Sequence, residues 1–211
     1  MAFRFSPVLV VALFAPLFVP AQAGAQDSPK TFSPPNWVAP PSDLPRGEHG
    51  ERAYSLDTLF DALKIAPDAE SAKAIEDRIW ATWMVSGSDT CNLLMARAKA
   101  AADDKDYDLA VQLLDAVVAL KPDYVEARNR RATVYFLKKE YGQALADIHE
   151  VLAREPRHFG ALSGLGLILQ EIGDDKHALE AFRRALAIDP HLDHAGEAVK
   201  TLGEKVEGRE I

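Results

Sequence analysis

Three prolines, Pro122, Pro156 and Pro190, stand 34 residues apart, and each closes a run of apolar residues at three-to-four spacing. Proline lacks the amide donor that a continuing helix needs, so an evenly spaced proline marks the end of the same helical unit built three times. This period confines residues 91–192 to a helical repeat array and leaves little room for any strand. The three windows are 91–124, 125–158 and 159–192.

Overlaying the windows brings out the packing positions. The eighth residue is Ala98, Ala132 and Gly166, and the twentieth is Ala110, Ala144 and Ala178. Small side chains at both places let the two helices of a unit approach closely, where a larger residue would overpack the contact. The twenty-fourth residue (Leu114, Ile148, Phe182) and the twenty-seventh (Val117, Val151, Ala185) supply the apolar filling. The segments Lys105-Asp106, Glu140-Tyr141-Gly142 and Gly173-Asp174-Asp175 read as the turn before each second helix.

These residues resemble the tetratricopeptide repeat, most closely in the third window through Leu162, Leu165-Gly166, Leu169, Ala178, Phe182, Ala185 and Pro190. Arg128, Arg97 and Arg131 depart from the signature at its fourth and seventh positions. The resemblance implies an all-α fold, a right-handed superhelix of antiparallel helix pairs with helical caps, whose first helices line a concave groove. The segments Ile79-Trp80-Ala81-Thr82-Trp83 and Arg157-His158-Phe159-Gly160-Ala161-Leu162 extend the likeness, over about residues 55–211, to small exported repeat proteins of α-proteobacteria. That likeness implies a periplasmic location and a role in the cell envelope.

The flanks follow. Residues 1–25 combine Arg4, an apolar run over Val8–Val19 and the small pair Ala21 and Ala23, which is the layout of a cleaved secretory signal peptide. Cleavage is expected after Ala23 or Ala25, leaving no membrane span. Residues 26–54 hold Pro29, Pro34, Pro35, Pro40, Pro41 and Pro45 and read as a proline-rich disordered linker. Residues 55–88 carry two helical stretches. Glu76 falls where a repeat needs a small residue, so this pair is expected to be an atypical N-terminal cap rather than a fourth repeat. Asp89 or Thr90 is expected to cap the next helix. Residues 193–211 carry the stripe Ala195, Val199, Leu202 and Val206 of a C-terminal capping helix.

Several functions lose their basis here. A net charge of −8 argues against a nucleic-acid partner, since phosphate binding relies on clustered lysine and arginine. No phosphate loop, nucleophile elbow or paired zinc motif occurs, so no catalytic residue, no metal ligand and no cofactor is assigned. Cys91 is the single cysteine and reads as a packed thiol, although an intermolecular bridge stays open. His191-Leu192-Asp193-His194 offers only two histidines, with no third ligand fixed by spacing.

The expected function is binding of a protein or peptide in the concave groove. Its candidate residues are Asn92, Met95 and Lys99 in the first repeat, and Glu126, Asn129, Arg130, Thr133 and Phe136 in the second. Ser163, Leu167 and Gln170 follow in the third. Met95, Gly160 and Gly164 stand where the family's clamp for a terminal carboxylate would need basic residues, so that clamp is not expected. Two alternatives stand beside this reading: a scaffold subunit of a larger envelope complex, and an anion- or metal-dependent accessory factor using Arg128–Arg131 or the histidines. Arg131 is otherwise expected to pair with Asp115 or Asp147. The oligomeric state is left open by the sequence.

Overall fold

The computed structural model describes residues 55–208; the signal-peptide and linker segments, 1–25 and 26–54, lie outside the described residues. Among the described residues there are nine α-helices: α1 (Leu56–Lys64), α2 (Ala69–Trp83), α3 (Asp89–Asp103), α4 (Tyr107–Leu120), α5 (Val125–Leu137), α6 (Tyr141–Arg154), α7 (Phe159–Glu171), α8 (Asp175–Ile188) and α9 (Asp193–Val206). Helices α3 to α8 form the three repeats as consecutive antiparallel pairs, and α9 closes the array against α8.

Short polar side chains start five of the nine described helices by accepting the free amides of the first turn. Ser55 accepts from Thr58 N, Asp68 from Ser71 N, Asp106 from Leu109 N and Asp174 from His177 N. At α3 the cap is Ser88, which accepts from Cys91 N, so Asp89 and Thr90 already belong to the helix. The sequence reading placed that cap one or two residues too late.

Inside each repeat the first helix ends in the same tight turn. Lys105, Lys139 and Gly173, again 34 residues apart, have φ of 62°, 61° and 86°. The amide after each bonds back five residues, Asp106 to Ala101 O, Glu140 to Tyr135 O and Asp174 to Leu169 O, satisfying a carbonyl at the helix end. Glycine adopts this conformation without steric cost, whereas the two lysines do not. The turn of the second repeat is therefore Lys139-Glu140, and Tyr141-Gly142 is the first turn of α6.

The packing positions behave as their sizes require. Ala110, Ala144, Ala178, Val117, Val151, Ala185 and Phe182 are fully buried, and Leu114 and Ile148 nearly so. At Gly166 a Cβ would stand 2.7 Å from Phe182 Cζ, so this position accepts hydrogen alone while the ring occupies its place. Cys91 is a buried free thiol.

The helical pair α1–α2 packs its apolar face against the third repeat and α9. Its apolar residues Leu59, Phe60, Leu63, Ile79, Trp80 and Trp83 join one cluster with Phe159, Leu162, Phe182, Leu192 and Leu202, which belong to the third repeat and to α9. Periodicity gives a helix an apolar face but not the surface that face meets. Here the aromatic pair of α2 meets Phe159 and His158. At the other end the stripe of α9 is in place, with Ala195 and Leu202 buried and Val199 and Val206 packed on the same cluster.

Candidate functional site

The first helices α3, α5 and α7 form the face on which a partner was expected, and α2 lies across part of it. Trp83 stacks on the imidazole of His158 with ring centroids 4.0 Å apart and planes 5° from parallel. Trp80 meets His158 and Phe159 edge-on, each at 5.5 Å. Its approach depends on Gly160, where an added Cβ would stand 2.9 Å from the indole. Such aromatic pairs contribute about 0.5–1.5 kcal/mol each beyond the area they bury.

Polar links fix the edges of the hairpin. Arg157 bonds Asp57 at 2.7 Å and lies over the Phe60 ring at 4.3 Å. Tyr124 donates its hydroxyl to Met84 O at 3.0 Å, and Lys121 Nζ donates to Ser86 O. His191 Nε2 bonds Ala66 O at 3.0 Å.

Beneath α2 lies a polar floor. Glu126 is 1 % exposed, and its carboxylate accepts from Asn129 Nδ2 at 3.0 Å and from Arg130 Nε at 2.7 Å, with His158 Nε2 at 3.3 Å. Burial alone would raise the Glu126 pKa, but the Arg130 charge and the His158 hydrogen bond outweigh it and hold the carboxyl below its usual value. His158 Nδ1 accepts the amide of Ala161 at 3.1 Å and so caps α7. That bond assigns the ring proton to Nε2, which donates to Glu126. One histidine thereby caps a helix, satisfies a buried carboxylate and carries the Trp83 ring.

Of the expected groove residues, Glu126, Asn129 and Ser163 are buried under the hairpin, and Thr133 donates to Asn129 O at 3.1 Å. Glu126, Asn129 and Ser163 are floor and not free contact surface, whereas Thr133 lines the cleft between α3 and α5. Arg130 is bound to Glu126 and also approaches Met84 Sδ at 3.5 Å, so the free charge expected of it is already engaged. Phe136 is 8 % exposed and packs between repeats, its ring 6.0 Å from that of Tyr141. Asn92, Lys99 and Gln170 are exposed, Leu167 is half-buried, and Met95 is 7 % exposed in the first repeat.

Among the described residues a cleft between α3 and α5 is left uncovered. Met95, Ala98, Ala102, Leu114, Val134 and Leu137 form its apolar wall, and Lys99, Asp103, Arg130 and Thr133 add polar groups, so the expected groove residues Met95, Lys99, Arg130 and Thr133 meet here. Lys99 is paired with Asp103 at 2.7 Å.

The arginine run has internal duties. Arg131 forms a two-pronged bond to Asp147, 2.7 Å from Nε and 2.7 Å from Nη2, and reaches Asp115 at 2.6 Å. The Asp147 hydrogen bonds, opposed by burial and aided by Asp115, push its pKa up. Arg128 lies 3.8 Å from Asp147. Among the described residues no cluster of three or more histidine, cysteine, aspartate or glutamate side chains is placed to hold a metal ion.

Paired helices in a 34-residue register, with an open face and an apolar cleft, define a helical-repeat binding domain. Comparison with known proteins specifies it. A tetratricopeptide repeat model matches residues 139–193, and the model of the tetratricopeptide repeat protein 21 ARM repeat matches residues 46–152. A TPR repeat-containing protein of Rhizobium etli is 46% identical over 153 residues, covering 72% of this chain and 75% of that protein. Small glutamine-rich tetratricopeptide repeat-containing protein 2 of Saccharomyces cerevisiae is 33% identical over 109 residues, 52% of this chain and 31% of its own length.

Among solved structures, the Sgt2 TPR domain from Aspergillus fumigatus is similar in fold, with a TM-score of 0.54 at 23% identity over 57% of this chain and 81% of that one. The first TPR of Spaghetti (RPAP3), bound to an Hsp90 peptide, gives 0.55 at 18% identity over 57% and 95%. The chain belongs to the tetratricopeptide-repeat family, a non-enzymatic family of protein-binding domains.

Proposed function

We propose that this protein is an exported, periplasmic adaptor that holds a partner polypeptide in the cleft between α3 and α5, in the service of cell-envelope assembly or maintenance. The observation that carries the binding site is the cleft in which the apolar side chains of Met95, Ala98, Ala102 and Leu137 meet Lys99, Arg130 and Thr133, beside the stretch of the same face on which α2 lies. A wall of this kind accepts an apolar anchor residue, and Lys99 with Asp103 at its edge sets orientation through hydrogen bonds. Signal-peptide composition over residues 1–25 supports export. Engagement of Arg128, Arg130 and Arg131 with internal carboxylates weighs against the anion-dependent reading.

The test places a photo-cross-linking amino acid at Lys99 in the native host, with the exposed residues Gln112 of α4 and His149 of α6 as comparisons on the second helices. Export is read in the same cells by fractionation and by the mass of the mature protein. The proposal requires partner adducts from Lys99 in the periplasmic fraction. Adducts confined to Gln112 and His149 would move the binding surface to the other face, and a cytoplasmic protein retaining Met1 would remove the export reading.

A further inference from the structure

The hairpin α1–α2 is itself a ligand for the repeats, and it shows what the covered sector accepts. An α-helix with two aromatic residues one turn apart, Trp80 and Trp83, lies on Phe159, Gly160 and the His158 ring. Glycine at position 160 leaves the hollow into which Trp80 fits. A solvated groove position has no need of such a hollow, and a longer side chain there would fill it.

The floor is not fully satisfied by this occupant. Asn129 Oδ1 and Ser163 Oγ are buried without a hydrogen-bond partner, and each such atom destabilises the docked state. With the hairpin docked, those two atoms stay unmet. A helix with the same aromatic pair and an added hydrogen-bond donor would meet one or both.

We infer that the covered sector, from Glu126 on α5 to Ser163 on α7, is a second binding surface. Its partner is an amphipathic helix bearing two aromatic residues at i and i+3, for which α1–α2 is the resident competitor. An incoming helix replaces α2 on the His158–Phe159–Gly160 seat. The apparent affinity is reduced by the fraction of time the hairpin is docked, so weakening the hairpin tightens binding in trans.

The probe is a fluorescent synthetic peptide of this chain's own residues 68–88, titrated into the purified full chain and followed by anisotropy. Four proteins are compared: the parent, Trp80→Ala with Trp83→Ala, Arg157→Ala, and Gly160→Leu, each checked by circular dichroism. The double variant removes the resident's anchors and is expected to bind the peptide at least tenfold more tightly than the parent. Arg157→Ala, which frees Asp57 and Phe60 without touching the seat, should fall between them and serves if the double variant loses helix content. Gly160→Leu fills the hollow and should abolish binding. Equal affinity for the parent and both loosened variants, undiminished binding to Gly160→Leu, or equal binding of a scrambled peptide would each overturn the inference. Because the readout needs no cellular partner, its failure is separate from failure of the α3–α5 cleft as an adaptor site.

Discussion

Gly166 stands against the Phe182 ring at distances of 2.7, 2.8 and 2.8 Å from the position a Cβ would take, and Phe182 is fully buried. Gly166→Ala therefore carries two opposed effects. Alanine in a helix interior is favoured over glycine by about 1 kcal/mol. Pushing a packed ring aside costs about 1–3 kcal/mol, since the surrounding side chains have no free volume to give. The net expectation is a destabilisation of about 0–2 kcal/mol.

The single change is ambiguous by itself, and the partner residue resolves it. In a Phe182→Leu background the ring is gone, the clash term vanishes and alanine at 166 keeps only its helical advantage. The cycle should therefore show a coupling of about 1–3 kcal/mol between the two sites, far above the few tenths seen for independent positions. Urea denaturation of the four proteins, followed by helical circular dichroism, measures it. Gly166→Ala stabilising the parent and the Phe182→Leu protein equally would refute the close contact and the repeat register that produces it.

Other expectations follow from the same geometry. Lys105→Gly and Lys139→Gly relieve a positive φ, and each should leave stability unchanged or raise it by up to about 1 kcal/mol in the same urea assay; a loss above 1 kcal/mol would contradict the turn. Arg131→Ala leaves Asp147, which is 4 % exposed, with Arg128 at 3.8 Å in place of its two-pronged bond, and should cost about 2–4 kcal/mol, with Asp147→Asn in that background recovering part; a cost below 0.5 kcal/mol, measured by denaturation, would show the pair to be incidental. Glu76 of α2 is raised to about 7, first by burial and then by the neighbouring Asp189 carboxylate and a hydrogen bond to it, against the pull of Lys73. A folded pKa above the usual carboxylate value makes the contribution complete below about pH 4.5 and progressively lost as pH rises through 7. Thermal melts between pH 5 and 8 should fall in the parent and flatten in Glu76→Gln, and an unchanged slope would remove Glu76 from the account.

The repeats were legible because their information is local and periodic. A small residue at position twenty of each window, a filler at twenty-four and a proline at the end describe one unit three times, and the structure buries those side chains as expected. Placement of α1–α2 was not legible, since an amphipathic helix carries no record of the surface it covers. Two residues hinted at it. Glu76 at the small-residue position showed that the pair is not a repeat, and Gly160 at a groove position signalled a hollow for something large. Arg130 and Glu126 were read as groove contacts because register gives direction and not occupancy. With α2 overhead they become a buried ion pair. Lys99 kept its exposed place because none of the described helices folds over that part of α3.

Docking of the hairpin across the first helices is the centre of this account, and hydrogen–deuterium exchange of the full chain tests it most directly. Amides of residues 159–164 in the parent should exchange slowly, and Trp80→Ala with Trp83→Ala should speed that exchange at least tenfold while α3 and α4 stay unchanged, as expected for local undocking. Equal protection of residues 159–164 in both proteins, with α2 itself exchanging freely in each, would mean that the hairpin does not rest on this face.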